Sequence, residues 1–255
     1  VRIAERYEAV QTRIAQAATR AGRSPTEITL VGIAKHHPAE QVVEAVAAGL
    51  THVGENFAQE ARERLPRVQA LLAERGLALP RWHFVGRLQR NKARLVAGLA
   101  DCVESVDRES LAVALDRHAA AADRILEVCL QVDLSGEPQK GGVAVEQLPE
   151  LLRAVAALPQ LRPVGLMGVP AAHPDPEQAR PAFARLRALR ERLSSTPEGH
   201  TLQALSMGMS ADFEVAIEEG ASWIRVGTAL FGARESTTKL PAEPSDTRST
   251  QGNKE

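Results

Sequence analysis

The chain has 255 residues, 44% hydrophobic and 25% charged, which suits one large globular domain or two modest ones. Its 31 basic and 32 acidic residues leave a net charge of −1, too balanced for a global electrostatic hold on nucleic acid or an anionic membrane. Aromatic residues are scarce, at five Phe, two Trp and the single Tyr7, so the core must rest on Ala, Val, Leu and Ile.

The opening segment VRIAERYEAV is amphipathic and carries both charge signs, so it reads as part of a helix over 3–21 rather than a secretory leader. An apolar run at 29–34, TLVGIA, predicts the first strand. Pro38 opens a helix that Gly49 closes. A second strand, HVGE, begins at His52, and a helix follows from 57 to about 75. Further strands are predicted at 82–86, 102–106, 125–134, 163–169, 203–208 and 223–227. Helical patterns separate them, the clearest at 177–193, with Phe183, Leu186 and Leu189 on one face.

Eight apolar strands alternating with helices, and one more helix in front, predict an α/β fold: a single (β/α)8 TIM-type barrel over 1–234. About 235 residues is close to the ~250 usual for that barrel. The alternative is an open doubly wound sheet. It usually carries a Gly-rich first turn, whereas the first strand here runs into AKHHP. Residues 235–255 have almost no apolar content and read as a disordered tail. Cys102 and Cys129 lie in apolar runs and read as buried packing. No apolar stretch approaches the ~20 residues that span a bilayer. The expectation is a soluble, cytoplasmic monomer.

In such barrels the chemistry lies at the C-terminal ends of the strands. Lys35 ends the first strand. Partial desolvation at an apolar barrel mouth would favour its neutral, nucleophilic amine, although a strand-ending surface lysine looks the same in sequence. Ser206, Met207 and Gly208 end the seventh strand, and Gly227 and Thr228 end the eighth. These loops often hold phosphate, through hydroxyls and backbone N–H groups that glycine lets approach closely. Ser210 is placed to cap the next helix. Arg225 sits in an apolar strand and needs a partner, either a carboxylate such as Glu55 or Glu104, or a ligand acceptor. Asn56, three residues before Gln59, reads as a helix cap or a ligand contact. His83 reads as a satisfied core histidine or a site residue. No metal-ligand spacing is present. GRLQRNKAR, with Arg87, Arg90, Lys92 and Arg94, reads as a solvated helix start or a phosphate or RNA contact.

Six segments together resemble the pyridoxal phosphate homeostasis protein family: IAKHHP, GENFAQE, WHFVGRLQRNK, QVDLSGEPQKGGV, GLMGVP and LSMGMSADFEVAIEEGASWIRVGTALFGAR. The resemblance runs from about residue 3 to 234. It implies a barrel related to the N-terminal domain of alanine racemase. It also implies pyridoxal 5′-phosphate (PLP) held as an internal aldimine on Lys35, with Asn56 beside the ring and Arg225 facing the pyridine nitrogen. Ser206, Gly208, Gly227 and Thr228, with Ser210, fall where the family grips the phosphate. Lys140 matches an auxiliary lysine near the site. Ala34 departs from the family's usual serine, and His36 and His37 stand at varied positions. The implied role is PLP homeostasis, with PLP-dependent apoenzymes as recipients and no strong catalysis. The alternative is a PLP-dependent racemase or lyase. A racemase needs an acid–base group on each face of the substrate, usually a tyrosine from a second domain. Here the barrel is expected to take up the chain, and Tyr7 lies in the leading helix.

Overall fold

Eight parallel strands close into a barrel in chain order, each hydrogen-bonded to the next and the eighth to the first. The structure, a computed structural model, describes residues 2–137 and 139–233; the tail expected at 235–255 lies outside them. The strands are β1 (Thr29–Ile33), β2 (His52–Glu55), β3 (Arg81–Phe84), β4 (Cys102–Val106), β5 (Leu126–Val132), β6 (Leu161–Gly168), β7 (Ala204–Ser206) and β8 (Trp223–Val226). The helix α1 (Ile3–Arg20) precedes them. Between the strands run α2 (Ala39–Ala47), α3 (Ala58–Glu74), α4 (Ala93–Leu99), α5 (Glu109–Ala121), α6 (Leu148–Ala156), α7 (Arg180–Ser194) and α8 (Phe213–Glu218). A short α9 (Thr228–Phe231), unforeseen in the sequence, follows β8.

Buried strands of a parallel barrel read as continuous apolar runs because both faces are covered. Their outward residues pack against the helices in one large core that includes Val53, Leu72, Phe84, Val103, Leu130, Phe183 and Ile224. The leading helix α1 packs on α8, α9 and α2. Its Arg13 forms a paired contact with Glu214 (2.9 and 3.0 Å) and lies over the Phe213 ring at 4.4 Å. Arg6 donates to the Phe231 carbonyl at 2.8 Å. Thus α1 covers the flank where the eighth repeat has only the short α9.

The inward face is different in kind. Parallel register places Val31 beside His52 and Arg225, Gly54 beside His83, and His83 beside Cys102. A small apolar cluster of Cys129, Met167 and Ala204, with Trp223 against it, fills part of the interior. Polar residues are buried there too: His83, Glu104, Gln131, Ser206 and Arg225. Both cysteines are buried and unbridged.

Candidate functional site

The mouth of the barrel takes shape where β1, β2 and β8 end side by side. Lys35 lies two residues beyond β1, in a turn whose next residue, His36, has a left-handed backbone (φ 63°). Such a conformation in a non-glycine residue costs roughly 1–3 kcal/mol and persists only when its surroundings hold it. Here Glu60 holds it, accepting from the His36 N–H (3.1 Å) and contacting its Nδ1 (3.0 Å). Arg64 on α3 braces the same turn, donating to the Ala34 carbonyl (2.7 Å), Glu55 (2.7 Å) and Glu60 (3.1 Å). The His37 ring stacks on Phe231 with centroids 5.0 Å apart. Lys35 is therefore carried on a turn clamped from α3 and α9.

Asn56 follows β2 on the neighbouring strand. It does not cap α3: the N-cap position belongs to Phe57, and no side chain caps it. The Asn56 Oδ1 is buried with no hydrogen-bond partner. A buried amide left unpaired is costly, and a ligand group beside it would relieve that cost. Gly86 permits this close packing of strand exits, since a Cβ there would lie 2.0 Å from the Asn56 carbonyl oxygen.

On the far side, the loops after β7 and β8 are laced together. Gly208 turns with φ +90°, and a Cβ on it would strike Ala216 at 2.5 Å and Phe213 at 2.9 Å. Met207 is buried beneath the loop. Ser210 does not cap α8; its Oγ accepts instead from the Ala229 N–H (3.4 Å), while Asp212 accepts from the Met209 N–H (2.6 Å). Gly227 sits against Ile33 of β1, and Thr228 is exposed at the start of α9. Small residues, two hydroxyls and turning backbone thus face the mouth, a donor set suited to an anion such as phosphate.

Below the mouth, Arg225 finds its partners inside the barrel. Its Nη1 donates to the Ser206 hydroxyl (2.5 Å) and its Nη2 to the Gly168 carbonyl (3.0 Å). Ser206 donates its own proton to Glu104 Oε2 (2.5 Å), which lies 4.0 Å from Arg225. Of the two carboxylates weighed from sequence, Glu104 is the partner, because Glu55 faces outward to Arg64. The Ser206 hydroxyl is committed to this buried network. His83 meets Glu104 Oε1 at 2.6 Å through Nδ1, and His52 Nδ1 at 2.8 Å through Nε2.

Burial lowers the affinity of His83 for a proton, but its neighbours Cys102 and Glu104 push the pKa up. Burial also keeps the Cys102 thiol protonated, so the lasting negative partner is Glu104. Burial would raise the Glu104 carboxyl; His83 and Arg225 outweigh it and hold it below its ordinary value. The sequence singles out His83 and Arg225 but not His52.

Lys140 lies apart from this column, bound to Glu137 (2.6 Å) and the Pro170 carbonyl (2.9 Å), tying the β5 loop to the exit of β6. Arg87 and Lys92 line a cavity of about 730 Å³ with Asn56, Phe57 and Arg108, next to the mouth. Tyr7 donates to the Gly49 carbonyl (3.0 Å), in the turn ahead of β2 and hence at the opposite end of the barrel. Among the described residues, no group of three His, Cys, Asp or Glu side chains is disposed to hold a metal ion. No described helix is long and apolar enough to cross a membrane.

The alanine racemase N-terminal domain family matches residues 6–235. A pyridoxal phosphate homeostasis protein of Pseudomonas aeruginosa is 47% identical over 233 residues, covering 91% of this chain and 96% of that protein. This chain belongs to the pyridoxal phosphate homeostasis protein family. The family member from Escherichia coli K12 is 41% identical, covering 93% of this chain and 99% of its own. PipY of Synechococcus elongatus, solved with PLP bound, is 37% identical with a TM-score of 0.78, over 91% of this chain and 100% of that one. Alanine racemase of Corynebacterium glutamicum, at 18% identity and a TM-score of 0.62, covers 91% of this chain and 63% of its own and shares the fold alone.

Proposed function

We propose that this protein binds PLP reversibly through Lys35 and serves intracellular PLP homeostasis rather than vigorous catalysis. The observation that carries the reading is the convergence at one barrel mouth of the Lys35 turn, the unpartnered Asn56 Oδ1 and the β7–β8 cup. Membership of the family and the PLP-bound state of PipY support it. When bound, PLP supplies an aldehyde that condenses with an amine, with loss of one water, and an electron-withdrawing ring.

Each residue then has a task set by its chemistry. The clamped turn presents the Lys35 amine. Asn56 offers either end of its amide beside the ring, since an amide can turn to donate or accept. Gly208, Ser210, Gly227 and Thr228 enclose the phosphate, with Met207 packing beneath. Arg225 donates upward to the ring nitrogen, and Ser206 and His83 act through Arg225 rather than on the phosphate. Arg225 stays protonated, so it cannot hand its proton to that nitrogen, and the ring remains a weak electron sink. Tyr7, engaged at the opposite end, is no candidate for an acid–base partner. In this reading the protein is a cytoplasmic monomer, Lys140 is auxiliary, and PLP-dependent apoenzymes are the recipients.

Borohydride treatment of the PLP-loaded protein should fix the cofactor on Lys35, as read by peptide mass mapping. The Lys35→Ala variant should fix none. Equal covalent loading of that variant would overturn the assignment.

A further inference from the structure

We propose that His83 and Glu104 are positioning residues for Arg225: their ion pair orients the guanidinium and leaves its positive charge uncancelled toward the cofactor ring. This rests on the reading that the barrel mouth takes PLP. The direction of every hydrogen bond in the column follows from which groups can donate. Arg225 only donates and an ionised Glu104 only accepts. The Ser206 hydroxyl between them must therefore accept from Arg225 and give its one proton to Glu104 Oε2. Glu104 Oε1 then needs its own donor, and His83 Nδ1 is the group at 2.6 Å.

The remaining choice lies between the two imidazoles, 2.8 Å apart. His83 carries the charge, because its Nδ1 lies 2.6 Å from Glu104, a carboxylate that Arg225 and Ser206 also help to keep ionised, and this outweighs burial. With a proton on each ring nitrogen, His83 donates from Nε2, so His52, which burial and then the charge of His83 keep neutral, accepts at Nδ1. All bonds run toward Glu104 from both sides. The groups packed around His83 are His52 on β2, Cys102 and Glu104 on β4, and the edge of Trp223 on β8 (centroids 5.0 Å). Around Arg225 they are Glu104, Ser206 and the Gly168 carbonyl, with the charge of Asp212 acting from the β7 loop.

Two cations share one anion, but not equally. Glu104 is 2.6 Å from His83 and 4.0 Å from Arg225, with a neutral hydroxyl interposed. His83 takes up most of the carboxylate's charge. Arg225 is held in place by neutral acceptors and keeps its own. Without the His83 charge, Glu104 would turn its field on Arg225 and cancel it. Filling this interior with apolar side chains would be a cheaper route to stability than burying three charges, so a role at the site accounts better for the column.

The test compares wild type with His83→Gln, both loaded with PLP. The variant should still be trapped by borohydride on Lys35, but with a shifted visible band and a PLP dissociation constant raised about tenfold, equivalent to roughly 1.4 kcal/mol. The wild-type band should be constant from neutral pH until His83 loses its proton near the alkaline limit, and the variant should lack that transition. An unchanged band, pH profile and affinity in a folded His83→Gln would overturn the proposal. Nitrogen NMR of the wild-type apoprotein needs no variant to fold. It should show His83 as an imidazolium at pH 8, and a neutral ring there would overturn the proposal equally. If wild type traps no cofactor on Lys35, the functional reading itself falls, and this inference with it.

Discussion

Outside the strands, the barrel packs leucine, valine and alanine against its helices; inside them, it buries a histidine, a carboxylate and a guanidinium. The outer layer can satisfy its packing by hydrophobic transfer alone, and any side chain of similar shape serves there. The inner column is stable only as a whole, because each charge is tolerable through its neighbours. Stability of the fold therefore resides mainly in one layer. On the proposed function, the other layer prepares the mouth for an anionic, nitrogen-bearing ring.

Two substitutions separate the layers. Glu104→Leu leaves the charges of His83 and Arg225 buried without their anion, and should cost about 3–5 kcal/mol in a urea titration. It should also alter the absorption of bound PLP. Leu72→Ala opens a cavity in the outer core and should cost about 2–5 kcal/mol. Its cofactor trapping at Lys35 and its spectrum should match wild type. If both variants disturb the bound cofactor alike, the division between the layers is wrong.

The same division explains what was legible in the sequence. Outer packing writes itself as apolar runs, so β2 at 52–55 and β4 at 102–106 fall where they were expected. The run at 125–134 overstated β5, which ends at Val132, because Leu134 is apolar but lies in the following bend, where Asp133 accepts from the backbone of Ser135 and Gly136. β7, expected over 203–208, shrinks to 204–206, because the chain turns out through Gly208. Capping readings at Asn56 and Ser210 followed local spacing; α3 starts from an N-cap at Phe57, and Ser210 is taken up by the Ala229 N–H instead. The apolar strand around Arg225 shows that it needs a partner but not which side chain it touches. Ser206 reaches Glu104 across 102 positions of chain, a contact that only closure of the barrel creates. The α9 helix was invisible because four residues carry no periodicity.

Titration offers a finer contrast, since β2 places one ionisable group on each side of the sheet. His52 faces the column, and burial with the His83 charge brings it down to about 4. Its unfolded form binds a proton near pH 6.5, so its contribution favours folding above that value and is lost as pH falls toward 4. Glu55 faces α3, and burial, against the pull of Arg64, lifts it to about 7. Its folded form holds a proton that the unfolded chain releases near pH 4.5, so its contribution is lost as pH rises toward 7. The two slopes oppose each other between about pH 4.5 and 6.5, and stability in wild type should be nearly flat there. His52→Asn removes one slope and should make stability fall as pH rises through this window. Glu55→Gln removes the other and should make it rise. Above this range His83 dominates, because the folded state retains a proton that the unfolded chain gives up near 6.5, so stability declines with alkalinity. Denaturant midpoints measured across pH for the three proteins check all of these signs, and parallel slopes in the two variants would show that the inner and outer faces of β2 do not titrate independently.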